Sequence, residues 1–213
     1  MVYDSLAQEY AERVEHYKHV TIQVAAPFIK ALEMNFANVH VLELGCGAGL
    51  NLMYFEHAGF KSTAVEISGK MISFSRRIAP KTKYIHANIL EYTFPNVKYE
   101  GIFAHAFIHL FKTNDLERLM VKIMRLLVDG GMLFISTTKH EEADEGYITK
   151  HDYKSINIKR YRKQWTEGEL LHFFGRYDLQ IVFHGEIDES DKGKLWMYFV
   201  LKKCSPISRG SQL

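Results

Sequence analysis

Val39-His40-Val41-Leu42-Glu43-Leu44-Gly45-Cys46-Gly47-Ala48-Gly49 decides the fold of this chain. An apolar, β-prone run ends in three glycines at alternate positions, and the helical pattern Leu50-Asn51-Leu52-Met53-Tyr54-Phe55 begins at once. Strand, glycine turn and helix N-terminus together make a mononucleotide-type cradle. Glycine takes positive φ without a Cβ penalty and lets a ligand approach the backbone. The N–H groups at a helix start attract an anion. A dinucleotide fingerprint G-x-G-x-x-G needs its third glycine at position 50, which is Leu50 here. The spacing is instead G-x-G-x-G, with an acidic residue, Glu43, just upstream.

Outward from the turn, short apolar strands alternate with helical patterns. Lys61-Ser62-Thr63-Ala64-Val65-Glu66 reads as a strand closing on a carboxylate. Ser68 caps the helix that follows, whose Met71, Phe74, Ser75 and Ile78 fall at helical spacing. A carboxylate at the carboxyl end of the second strand is placed to accept hydrogen bonds from two ribose hydroxyls; the plain alternative for Glu66 is a solvated surface residue. Lys83 to Ile89 reads as a third strand and its exit, and Tyr99 to Leu110 as a fourth strand and its turn. Leu116, Leu119, Met120, Ile123 and Leu127 mark an amphipathic helix ending at Asp129-Gly130-Gly131, ahead of a fifth strand from Met132 to Thr137. A capping box, Thr166-Glu167-Gly168-Glu169, opens the last helix, and two β-like runs, Leu179 to Gly185 and Lys194 to Leu201, follow as a hairpin. Before the turn lie an amphipathic helix from residue 4 to about 18, with Leu6, Tyr10, Val14 and Tyr17 on one stripe, and a second from Thr21 to Asn35. Pro27 kinks that second helix or marks a late start.

A chain of 213 residues suits one α/β domain with a full sheet core. The expected unit is residues 1–204, with N-terminal helices over 1–36 and a polar tail over 205–213. A formal charge of +2 is too small to argue for nucleic acid. No apolar run approaches the ~18 residues of a membrane span, and Gln8, Glu9, Glu12 and Arg13 leave no signal-peptide core. Cys46 and Cys204 lie far apart, so no disulfide framework is expected and a reducing, cytoplasmic setting is.

The ordered set of glycine turn, Glu66, third-strand exit, Gly-Gly turn and final hairpin resembles the class I S-adenosylmethionine-dependent methyltransferases, over about residues 3 to 202. The resemblance implies a three-layer α/β architecture: a doubly wound, mostly parallel seven-stranded sheet with an antiparallel C-terminal hairpin strand and helices on both faces. It implies S-adenosylmethionine as cofactor and S-adenosylhomocysteine as product. The donor would be held by Glu43, Gly45, Cys46, Gly47, Gly49 and Asn51 at the turn, by Glu66 and Ile67 at the ribose, and by Asn88, Ile89, Ala104 and His105 further along. The family usually has an acidic residue at the third-strand exit; Asn88 replaces it with a side-chain carbonyl that accepts the same bond from the adenine amino group. Tyr3-Asp4-x-x-Ala7-x-x-Tyr10 resembles the family's N-terminal lid helix, so Tyr10 and Arg13 either touch the donor or pack the helix on the core.

On the acceptor side, His105 and His109 follow the fourth strand, where a general base would stand; each reads equally as a histidine bonded into its loop. Residues 138–165 are too long for a connector and carry Tyr147, Tyr153, Tyr161 and Trp165, suited to a substrate lid. His140, Glu141, Glu142, Asp144, His151 and Asp152 lack the tight spacing of a metal site, and none is expected. The expected partner is a small organic acceptor methylated on O or N, with no membrane. RNA, suggested by the run Lys159 to Lys163, and a non-catalytic regulator that binds the donor are the alternatives.

Overall fold

The structure, a computed structural model, describes residues 2–12, 14–150, 158–189 and 193–205. The glycine turn follows strand β1 (His40–Leu44) and opens helix α3 (Leu50–His57). Around it run β2 (Lys61–Glu66), α4 (Gly69–Ile78), β3 (Lys83–His86), β4 (Tyr99–Ala104), a 3-10 turn (Ile108–Leu110), α5 (Thr113–Leu126) and β5 (Leu127–Thr138). A polar hairpin, β6 (Asp144–Lys150) and β7 (Ile158–Gln164), precedes α6 (Glu167–Phe174), β8 (Leu179–Glu189) and β9 (Lys194–Lys203). Two helices, α1 (Val2–Glu12) and α2 (Val14–Asn35), come first.

Seven strands form one sheet in the order β3-β2-β1-β4-β5-β9-β8. Strands β1 to β5 pair in parallel, and β9 is antiparallel to both β5 and β8. The central strands are largely apolar because both sheet faces are covered. On one face Leu42, Leu44, Ile102, Leu133 and Ile135 pack with Leu116, Leu119, Met120 and Ile123 of α5 and with Phe173 and Phe174 of α6. On the other, Val41, Phe103, Phe134 and Val200 pack with Phe28 and Leu32 of α2 and Phe55 of α3. Phe103 and Phe134 stack at 4.1 Å between ring centroids, and Phe28 lies 5.1 Å from Phe103. This is the three-layer, mostly parallel arrangement that the resemblance implies.

Several elements differ from the sequence reading; β8 and β9, for example, run on to Glu189 and Lys203. The first helix ends at Glu12 and the second begins at Val14, so residues up to 18 belong mostly to α2, which continues through Pro27 to Asn35. Helix α5 ends at Leu126, not at Asp129: Leu127 is fully buried as a strand residue paired with Tyr99. The register then slips before Met132 meets Gly101, so Asp129-Gly130-Gly131 forms an irregularity within β5 rather than the end of a helix. Lastly, residues 144–150 and 158–164 pair antiparallel, with Tyr147 opposite Tyr161 and Ile148 opposite Arg160. Their faces are both largely polar, so the period of two carried no hydrophobic contrast.

Candidate active site at the glycine turn

Gly45, Gly47 and Gly49 all take positive φ, at 70°, 51° and 91°. Each does something different. A Cβ on Gly45 would lie 2.5 Å from the Phe107 ring, so this position lets the exit of β4 close on the turn. A Cβ on Gly49 would lie 2.1 Å from Ser75 Oγ, so this one brings α4 against the start of α3. A Cβ on Gly47 meets nothing within 4 Å and would project into open space. Of the three, Gly47 is the one whose backbone an incoming ligand can reach.

Glu66 stands beside it. Its Oε2 accepts from Gly47 N at 3.1 Å and its Oε1 from Ser68 N at 2.9 Å, which fixes the carboxylate at the end of β2. Burial raises its pKa, and the backbone donors pull the other way. Glu43 lies deeper, 1% exposed, with Oε1 accepting from Asn51 Nδ2 at 2.7 Å. Burial, with Glu66 nearby, pushes its pKa up to about 8 against the Asn51 bond. Glu43 Oε2 and Asn51 Oδ1 have no hydrogen-bond partner among the described residues. Cys46 is buried at the turn, and its thiol is raised well above the ordinary value, chiefly by that burial.

Helix α1 is clipped to this corner. The Ser68 hydroxyl donates to Asp4 Oδ1 at 2.6 Å while accepting from Met71 N as the cap of α4. Lys70 N also donates to Asp4. Tyr10 packs on Leu6 of the same helix, and Arg13 lies outside the described residues. Beyond β3, Asn88 Oδ1 accepts from Leu90 N at 3.1 Å and its Nδ2 donates to Glu91 at 2.9 Å. The Asn88 carbonyl thus already holds one bond and has a second lone pair. Sequence reasoning missed what fixes this loop: the Lys122 ammonium of α5 donates to the carbonyls of Ile89, Leu90 and Tyr92. Ile89 and Ala104 are both buried in the core, and the Ile67 carbonyl is bonded to the His86 ring.

Both histidines after β4 are tied to β5. His105 Nδ1 is 2.7 Å from Ser136 Oγ, which also accepts from Ala106 N. Burial lowers the His105 pKa to about 4. His109, 2% exposed, has Nδ1 3.0 Å from Thr137 Oγ1, and its pKa falls well below the ordinary value through burial first and then the charges of Arg162 and Arg160. Two neutral imidazoles bonded into their loop are weak bases near neutral pH. The sign for stability is definite: His105 binds its proton less well folded than unfolded, so stability is complete above the ordinary pKa near 6.5 and is lost as pH falls toward 4. That loss is up to roughly 3 kcal/mol. Denaturant titrations of His105→Asn at pH 7 and pH 4.5 are expected to show a shallower acid loss than the parent; an identical loss would mean that the ring is not held neutral.

The hairpin presents different residues from those expected of a lid. Tyr147 is 61% exposed and meets Tyr161 on the outer face, where the Tyr161 hydroxyl donates to Glu145. Trp165 is 3% exposed and packs on Phe173, a core position. Tyr153 lies outside the described residues, with His151 and Asp152. The alternate positions of β7 carry Arg160, 7% exposed, and Arg162. These two lie near His109, and Arg160 interacts with the Tyr3 hydroxyl of α1. The basic run was read as one cluster; the strand's period of two divides it between faces.

A family model described as a methyltransferase domain matches residues 41–131, from β1 into β5. The fold is similar to that of a 1,6-didemethyltoxoflavin-N1-methyltransferase from Burkholderia thailandensis, solved with 1,6-didemethyltoxoflavin and S-adenosylhomocysteine bound. The two are 18% identical over 94% of this chain and 88% of that one, with a TM-score of 0.68. An S-adenosylmethionine-dependent methyltransferase from Clostridium acetobutylicum is 14% identical, with 96% and 100% covered and a TM-score of 0.69. Residues 41–131 thus match a methyltransferase domain, and the chain has the fold of these S-adenosylmethionine-dependent methyltransferases. Among curated proteins, a malonyl-[acyl-carrier protein] O-methyltransferase from Enterobacter lignolyticus is 22% identical over 131 residues, 62% of this chain. The chain spans about half the length of that relative (50%).

The residues at the glycine turn fit S-adenosylmethionine, the donor that the resemblance implies. Open space over Gly47 accepts an approaching ligand without displacing protein atoms. The fixed Glu66 carboxylate retains lone pairs for hydroxyl donors. The acceptor atoms Glu43 Oε2 and Asn51 Oδ1 suit an ammonium, which has donors and no acceptor. Among the described residues, no group of three or more metal-ligating side chains is found, and no helix is long and apolar enough to cross a membrane.

Proposed function

We propose that this protein binds S-adenosylmethionine in the crevice between the glycine turn and Glu66 and transfers its methyl group to a small organic acceptor. The observation that carries this is the pairing of Gly47 with Glu66: a backbone open to a ligand, bonded to a carboxylate at the carboxyl end of the adjacent strand. Gly45, Gly47 and Gly49 make room for the amino-acid end of the donor, with Glu43 and Asn51 beneath it. Glu66 takes the ribose hydroxyls, and Asn88 with the apolar walls of Ile67 and Ile89 takes the base.

The sulfonium donor supplies an already activated methyl group, displaced in line by a nucleophile's lone pair as the C–S electrons return to sulfur. The protein's share is alignment to about 3 to 3.5 Å and exclusion of water. His105 and His109 shape the floor of the acceptor space through Ser136 and Thr137. A ring with a pKa of about 4 is poorly matched to deprotonating a hydroxyl near neutral pH. This favours an acceptor atom with a free lone pair near neutral pH, such as a carboxylate oxygen or an aromatic ring nitrogen. The division of the basic run between two faces of β7 weakens the RNA alternative, since no single face carries the whole run.

Calorimetry tests the reading. S-adenosylhomocysteine is expected to bind at roughly micromolar Kd and NAD not at all. Glu66→Gln is expected to weaken that binding by ~1.5 to 3 kcal/mol, the range for hydrogen bonds to a charged group. NAD binding, or no adenosyl ligand bound, would overturn it.

A further inference from the structure

The turn between β2 and α4 is held from two sides. On one, His86 of β3 bonds its Nε2 to the Ile67 carbonyl at 3.0 Å, and a Cβ on Gly69 would stand 3.3 Å from the same ring. On the other stands Asp4 of α1, whose Oδ1 accepts from the Ser68 hydroxyl at 2.6 Å and from Lys70 N at 3.3 Å. Ser68 is fully buried, and its groups are all committed. The hydroxyl proton goes to Asp4, a hydroxyl lone pair caps α4 through Met71 N, and the backbone N–H donates to Glu66 Oε1. Glu66 Oε2 in turn accepts from Gly47 N. An unbroken line of hydrogen bonds therefore joins α1 to the glycine turn through Asp4, Ser68, Glu66 and Gly47. The bond from Ser68, then that from Lys70 N, holds the Asp4 carboxyl below its ordinary pKa, so the acceptor heading that line is charged at neutral pH.

We infer that Asp4 is a positioning residue for the donor's ribose: it fixes the Ser68 turn, and through Ser68 N–H the direction in which Glu66 offers its remaining lone pairs. Each Glu66 oxygen has one backbone donor. With the Ser68 bond slackened, the carboxylate pivots on the Gly47 bond alone, and hydrogen bonds weaken steeply as their angle opens. Asp4 does this without touching the ligand. By linkage, ribose binding at Glu66 and docking of α1 on the turn strengthen each other by the same factor. This role rests on the methyltransferase reading, with Glu66 as the ribose carboxylate. A contact that served only to fasten α1 would lower affinity for every adenosyl ligand alike.

Calorimetry on the full chain, with S-adenosylhomocysteine and its 2′-deoxy analogue, separates the two. The parent is expected to bind the analogue about tenfold more weakly, as loss of one hydrogen bond to a charged group does. Asp4→Ala is expected to weaken S-adenosylhomocysteine roughly fivefold, a usual size for coupling between sites, and to leave the analogue within about twofold. The preference for the full ribose thus shrinks. Should Asp4→Ala not fold, hydrogen exchange in the parent gives the same comparison: saturating S-adenosylhomocysteine is expected to protect the α1 amides more than the saturating analogue does. The role is overturned if Asp4→Ala keeps the parent's preference, or if both ligands protect α1 equally. A parent that binds S-adenosylhomocysteine with no preference for the full ribose removes Glu66 from the ribose, and this role with it. A parent that binds no S-adenosylhomocysteine refutes the methyltransferase reading itself.

Discussion

Gly49→Ala is expected to destabilise the fold by roughly 3 to 5 kcal/mol, enough to unfold a marginal domain. The new methyl would lie 2.1 Å from Ser75 Oγ and 2.9 Å from Ser75 Cα, and the second atom is backbone. No rotamer change relieves it; α4 itself must move. Ser75 is fully buried and bonded to the Tyr84 hydroxyl, which in turn donates to Ala79 O, so that shift strains the cap of α4 and its seat on β3. Backbone strain at φ 91° adds ~1 to 2 kcal/mol. Gly47→Ala is the matched control. Its φ of 51° is one that other residues adopt at modest cost, and its methyl meets nothing. Stability is expected to fall by only about 1 kcal/mol, while S-adenosylhomocysteine affinity falls at least ~10-fold because the methyl occupies ligand space. Urea unfolding and calorimetry separate the two. A parental unfolding midpoint for Gly49→Ala would contradict the close seating of α4, and parental affinity for Gly47→Ala would place the ligand elsewhere.

Glu43→Gln is expected to stabilise the protein at pH 8 and change little at pH 5. The folded state holds the Glu43 proton up to a pKa of about 8, against an ordinary 4.5. Its contribution to stability is therefore full below pH 4.5 and is lost as pH rises through 8. Over that window the loss is on the order of 4 kcal/mol. A proton on Glu43 also supplies the donor that the Glu43 Oε2 and Asn51 Oδ1 pair lacks, and glutamine supplies one at every pH. Denaturant unfolding of parent and variant from pH 5 to 8.5 reads the difference directly. Parallel curves would show that Glu43 is ionised in the folded protein.

What could be read in advance follows from where side chains are buried. The turn, β1, β2, β4 and β5 were legible because strands covered on both faces must be apolar, and because the alternating glycines admit few other uses. The end of α5 was not: Leu127 continues the stripe of Ile123 and is equally apolar whether it closes a helix or enters the sheet beside Tyr99. Tyr147, Tyr161 and Trp165 were grouped as lid aromatics by their proximity in sequence, which says nothing of which face of a polar strand each takes. The inward pair Arg160 and Arg162 had a signal in the period of two, masked by basic neighbours. Lys122 and Asp4 gave none, since a surface lysine and an early aspartate look ordinary until Ile89, Leu90 and Ser68 are brought to them. The roles assigned to His105, His109 and Asn88 now rest on the bonds each already makes.

The place of β9 between β5 and β8 has a consequence for how the chain is made. During translation, residues 127–138 leave the ribosome some sixty residues before their neighbour at 194–203. For that interval Leu133, Phe134 and Ile135 belong to a strand with one open edge, the kind of surface on which nascent chains associate wrongly. Strand β7 also emerges long after Asp4 and Ser68, so the glycine turn and its flanking strands can form well before β7 comes to lie against the 3-10 turn.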